Sequence, residues 1–204
     1  VTFLIGCIAA WPHEALISAQ DRWTEEEYLA LDDAIGAWMI ELVDGRLELP
    51  VMPDMYHQDI VAFLLFRLDD FVVVHATGDV IQAPLPVRLG KLNFREPDIG
   101  YFRPHRIKDR HSRPNGADLV VEFVMPGEEA RHRDLIDKRI AYAKAKISEY
   151  WIVDPKTKTI TVLALSGKSY KVHGVFKEGT HAASKLLKGF KVAVSEVFAA
   201  GEGK

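Results

Sequence analysis

Asp118-Leu119-Val120-Val121-Glu122-Phe123-Val124 is an apolar run interrupted once, by a carboxylate. Such a stretch, without polar alternation, is the pattern of a strand covered on both faces, as in the parallel part of an α/β sheet. Glu122 is the anomaly in it. A carboxylate among buried side chains is costly unless it is paired, protonated or bound to a metal. Glu is almost never fully buried alone. An ion pair with a nearby Arg or Lys is the plain explanation, and a functional group is the sharper one.

Working upstream, residues 98–102 read as the preceding strand, and Pro97-Asp98-Ile99 places an acid where it begins. By itself an Asp beside a Pro is a turn residue. Taken together, the two acids sit on consecutive strands and are able to face one another. Two converging carboxylates repel, so a divalent cation is their natural partner. Oxygen ligands of this kind suit Mg²⁺ or Mn²⁺ rather than Zn²⁺. Between the strands lies a polar loop with Arg103, Arg106, Lys108, Arg110 and Arg113 against one acid, Asp109. Attraction to nucleic-acid phosphate is its functional reading, and a solvated loop the plain one.

Downstream, residues 131–146 read as a helix with Ile136, Ile140, Ala143 and Ile147 as its apolar stripe. Asp134, Lys138 and Tyr142 share a ridge at the border of that stripe. An Asp-to-Lys pair at this spacing is also a common solvated feature. Further out, Thr24-Glu25-Glu26-Glu27 is a capping box that starts a helix. Asp44-Gly45 marks a hairpin between residues 40–43 and 46–49. Residues 56–74 are helical, with His57 one turn before Val61 on the apolar stripe. Strand-like runs follow at 79–89, 150–153 and 159–165, the last pair joined through Asp154-Pro155. Short strands and a terminal helical turn near 195–198 complete the chain. The economical division is an extension over 1–22, one α/β domain over 23–200 and a tail at 201–204.

The chain has 204 residues, 48% of them apolar and 27% charged, enough to bury a core without staples. Its single cysteine, Cys7, excludes a disulfide framework and points to a reducing cytoplasm. No stretch approaches the ~20 apolar residues of a membrane span. The apolar residues 1–11 lack the basic start and cleavage site of a signal peptide. The net charge of −3 hides an asymmetry. Residues 1–60 carry 12 acids and 2 bases, whereas residues 61–204 carry 17 acids and 24 bases. G-x-S-x-G elbow, P-loop, dinucleotide fingerprint and H-E-x-x-H are all missing from the sequence.

The ordered set Glu41-Leu42-Val43-Asp44-Gly45, His57-Gln58, Pro97-Asp98, 118–122, Asp134 with Lys138 and Tyr142, and 149–155 resembles the Uma2-type restriction-endonuclease family. That family belongs to the PD-(D/E)XK superfamily. The resemblance implies a restriction-endonuclease-like mixed central sheet flanked by helices, with an added N-terminal hairpin. It implies a divalent-metal-dependent endonuclease acting on DNA. Asp98, Glu122, the Phe123 carbonyl and His57 would be its ligands for one or two Mg²⁺ or Mn²⁺ ions. The lysine normally two residues after the second acid is here Val124, and Lys138 is its migrated equivalent, so Asp98, Glu122 and Lys138 form the catalytic set. Asp134 and Tyr142 would support that set. Glu41 is either a further ligand or supporting partner, or an exposed hairpin residue. A homodimer is the expected assembly. Two departures stand out: Met125-Pro126-Gly127 replaces a usual Ser-Pro-Ser, and Lys146 replaces a usual Gly. A non-catalytic nucleic-acid-binding relative is the alternative, and RNA the alternative substrate.

Overall fold

The computed structural model describes residues 23–35 and 39–203, so the expected extension over 1–22, with Cys7, lies outside the described residues. The apolar run forms β7, Leu119–Phe123, buried at every position. It lies between β6 (Ile99–Phe102) and β8 (Glu149–Asp154) in a six-stranded sheet. Beyond β8 come β9 (Thr159–Ser166) and β10 (Ser169–Lys177), and beyond β6 comes β3 (Asp79–Gln82). β7 and β8 run parallel, while the other neighbours are antiparallel, so the sheet is mixed. A parallel pair needs a long crossover. Here it consists of α3 (Glu128–His132), a π turn (Arg133–Asp137) and α4 (Lys138–Lys144).

Side chains alternate between the two faces of this sheet. Val121, Phe123, Trp151 and Val153 pack with α2 (Met55–His75) and α5 (Val194–Gly201). Val120, Val124, Tyr150 and Ile152 pack with Tyr142, Ala143 and Ile147 on the other side. Glu122 shares the phase of Val120 and Val124. It therefore faces the crossover, on the side of the sheet where Tyr142 packs.

A second sheet carries the N-terminal hairpin, β1 (Glu41–Val43) and β2 (Arg46–Glu48). Asp44 at φ 50° and Gly45 at φ 82° make the left-handed turn that Asp-Gly favours. β1 pairs with β5 (Asn93–Arg95), and β5 with β4 (Val87–Gly90), giving the order β2-β1-β5-β4. Against it lies α1 (Glu25–Ile35), whose start is the expected capping box: the Glu27 amide donates to the Thr24 hydroxyl, and the Thr24 amide to the Glu27 carboxylate. β11 (His181–Ala183) and β12 (Lys191–Ala193) form a small ladder beside α5. Among the described residues, no helix is long and apolar enough to cross a membrane.

Two expectations change. The run 79–89 is two strands in different sheets, β3 and β4, because Pro84 and Pro86 supply no amide to a ladder. The helix expected over 131–146 starts at Glu128 and is interrupted by the π turn. Its inward face is only partly the expected one, since Ala143 and Ile147 are buried but the two isoleucines before them are not. Ile136 and Ile140 are 45% and 63% exposed, whereas Asp134, Lys138 and Tyr142 are almost wholly buried. The extra residue of a π turn shifts the helical phase away from that of a straight α-helix, so the polar ridge, and not the isoleucine pair, meets the sheet.

Candidate metal centre

β6 and β7 bring the two acids together. Ile99 pairs with Val121, and continuing that register sets Asp98 across from Glu122. Asp98 Oδ2 accepts a hydrogen bond from the Phe123 amide at 2.7 Å, and its Oδ1 lies 3.3 Å from His57 Nε2. His57 is fixed in the first turn of α2, where its own amide donates to the capping Asp54 carboxylate at 2.9 Å. Its ring meets Phe123 edge-on, with centroids 4.7 Å apart.

The crossover supplies the other side. Lys138 Nζ donates to Glu122 Oε2 at 2.7 Å and lies 3.8 Å from both Glu41 Oε1 and Asp134 Oδ1. The Tyr142 hydroxyl donates to the second Glu122 oxygen. Asp134 accepts from the Met125 amide at 3.2 Å, so the backbone at the Met125 departure still makes a bond to this acid. Glu41 is fully buried, which excludes the exposed-hairpin reading. It accepts from Arg95 Nη1 at 2.5 Å and from the Glu96 amide at 2.9 Å, and Arg95 reaches Glu48 as well.

Sequence reasoning missed Glu96. It is 1% exposed, and neither of its carboxylate oxygens has a hydrogen-bond partner among the described residues. With His57, Asp98, Glu122, Phe123, Asp134 and Lys138 it lines a cleft of about 20 Å³, room for one water or ion. The signal was present in the spacing. Glu96 and Asp98 are two residues apart, the period at which an extended chain repeats a face.

Charge in this cluster is unbalanced. Glu41, Glu48, Glu96, Asp98, Glu122 and Asp134 face Arg95, Arg133 and Lys138. Burial pushes Glu96 up to about 8, with repulsion from Asp32 and Glu41; the Ile40 amide pulls it back without a hydrogen bond of good geometry. Burial likewise raises Glu122 well above the carboxylate range, against the pull of Lys138. Burial opposes the charge on Lys138, but Glu122, then Glu41, Asp134 and Asp98, outweigh it and keep the ammonium protonated. An excess of buried carboxylate with raised proton affinity is a site short of positive charge.

The donor chemistry fits a hard divalent cation: carboxylate oxygens, a strand-end carbonyl at Phe123 and one imidazole. Among the described residues, no three His, Cys, Asp or Glu side chains converge closely enough to hold a metal as they stand. The reason is visible in the hydrogen bonds. Lys138 and Tyr142 occupy both oxygens of Glu122, and the Phe123 amide and His57 occupy those of Asp98. Holding a cation here means exchanging some of these partners.

The basic loop is not brought to this cleft. It joins the opposite ends of β6 and β7, about 13 Å from Glu122 at four residues' rise. Arg103 and Arg106 pair with the buried Asp118, Arg110 with Asp79, and Arg113 with Asp32 and Asp33. Lys108 lies on the same loop.

Among solved structures, the fold is similar to that of a putative nuclease belonging to DUF820 from Anabaena variabilis ATCC 29413. The TM-score is 0.70 at 17% identity, covering 87% of this chain and 98% of that one, which establishes a shared fold. No curated protein matches the chain. The family model for Uma2, described as a putative restriction endonuclease, matches residues 25–195, which spans both sheets, the crossover and every residue of the cleft. The chain belongs to the Uma2 family.

Proposed function

We propose that the protein is a Mg²⁺- or Mn²⁺-dependent endonuclease that hydrolyses phosphodiester bonds in DNA. The observation that carries this reading is the Lys138 ammonium, buried and 2.7 Å from Glu122, with Asp98 across the strand pair. When bound, a divalent cation supplies a water of lowered pKa and neutralises charge on the phosphate. Asp98, Glu122, the Phe123 carbonyl and His57 are the groups that would hold it. Lys138 remains charged and stabilises the negative charge that builds on the scissile phosphate. Tyr142 fixes the carboxylate of Glu122, and Asp134 and Glu41 keep the ammonium in place.

Arg103, Arg106, Lys108, Arg110 and Arg113 would then contact phosphates flanking the cut. Their separation of about 13 Å from Glu122 is roughly four nucleotide steps of 3.4 Å along one strand. Cutting both strands calls for two such centres, and a homodimer supplies them. One observation favours a second reading, a nucleic-acid-binding protein without catalysis: every oxygen of Asp98 and Glu122 already has a partner within the chain.

Mn²⁺ binding and plasmid cleavage by the wild type, Asp98→Ala and Glu122→Ala separate these readings. The wild type should bind Mn²⁺ and cleave plasmid, and each variant should lose at least about 100-fold in cleavage rate. A wild type that binds no divalent ion, or variants that bind it equally well, removes the metal centre. Binding without cleavage establishes the second reading.

A further inference from the structure

We infer that Glu96 is a ligand for a divalent cation in this cleft. The inference rests on the metal-dependent reading above and adds to it a residue outside the Asp98, Glu122, His57 and Phe123 set. Four acids line the cleft: Glu96, Asp98, Glu122 and Asp134. Three of them have their oxygens engaged, by the Phe123 amide and His57, by Lys138 and Tyr142, and by the Met125 amide and Arg133. Glu96 has two unclaimed oxygens and almost no exposure to water.

A buried carboxylate without a partner is among the costliest groups in a protein interior. The nearby cations do not relieve it. Arg95 points to Glu41 and Glu48, and Lys138 to Glu122. The Glu96 amide is fixed on Glu41, so its backbone is held in place while the side chain is left to the cleft. Glu96 is thus the acid whose oxygens become ligands without breaking a bond already made. Asp98, two residues on, is presented to the same space. Asp98 and Glu122 join it as ligands by exchanging partners, while Glu96 contributes coordination at the least rearrangement.

The test is a Mn²⁺ titration of the full chain by calorimetry, with free Mn²⁺ followed by electron paramagnetic resonance. Wild type, Glu96→Gln, Glu96→Asp and Asp98→Asn are compared, with circular dichroism and thermal melting without metal as controls. Glu96→Gln replaces a buried carboxyl that has no hydrogen-bond partner among the described residues, so it should melt at or above the wild-type temperature. It should bind Mn²⁺ roughly 10- to 100-fold more weakly, or bind one equivalent fewer, and Glu96→Asp should lie between it and the wild type. If Glu96→Gln binds like the wild type while Asp98→Asn does not, the inference fails and the metal centre stands. If the wild type binds no Mn²⁺, both fail. A Glu96→Gln protein that melts well below the wild type also overturns the inference, because the carboxylate then has a structural partner.

Discussion

Lys138 illustrates how one side chain can be common in sequence and decisive in place. Four residues after Asp134, it has the spacing of an ordinary surface pair, yet it is 4% exposed and lies against Glu122, Glu41 and Asp134. Removing this buried cation leaves Glu122 without an ion-pair partner and the acids around it without the charge they share. Lys138→Met should therefore cost about 3–5 kcal/mol in urea unfolding without metal, and should abolish cleavage. A loss under about 1 kcal/mol would show that these acids are not held by the ammonium. Asp98 and Glu122 were legible in the sequence because each breaks a local pattern, a carboxylate in an apolar run and another at a strand start. Glu96 breaks none by itself, since an acid before a proline reads as a turn, and only its two-residue spacing from Asp98 marks it. Its meaning comes from burial, which depends on how the β1–β2 hairpin closes over it.

Among the elements, the crossover between β7 and β8 shows both the reach and the limit of periodicity. The ridge of 134, 138 and 142 forms, and of the expected stripe Ala143 and Ile147 face inward while Ile136 and Ile140, within and just after the π turn, do not. The end of α4 is a clearer case of local chemistry. The Ile147 amide donates to the Tyr142 carbonyl and the Lys146 amide to that of Ala143, the hydrogen bonds of a Schellman cap. Such a cap places its residue in the left-handed region, and Lys146 has φ 61°. Here the Lys in place of Gly carries the strain of a side chain in that region. Lys146→Gly should stabilise the protein by about 0.5–1 kcal/mol in urea unfolding. No change, or destabilisation, would mean the lysine side chain compensates elsewhere. The split of 79–89 into two strands of different sheets was not legible, because sheet membership is decided by tertiary pairing and not by the run itself.

Across the whole molecule, the acidic start and the basic remainder meet in space. Arg113 of the loop pairs with Asp32 and Asp33 at the end of α1, and Arg88 of β4 pairs with Glu25 at its beginning. Part of the basic excess is therefore consumed inside the fold, which lessens its value as a guide to phosphate. Lys108 and Arg110 are the loop charges best suited to test what remains. Reversing both to Glu should weaken DNA binding, reduce the salt slope by about 1–2, and leave the rate at saturating DNA unchanged. Equal affinity and slope would return the loop to a structural role. The parallel pairing of β7 with β8 has a consequence in time. During synthesis β7 is complete at residue 123, but its parallel neighbour must wait for residues 149–154 to emerge. At about 5–20 residues per second, that interval lasts a few seconds, with Glu122 made and its cover still absent. The nascent chain thus carries a built-in delay, and the strand that bears Glu122 gains its parallel neighbour only after the whole crossover has been translated.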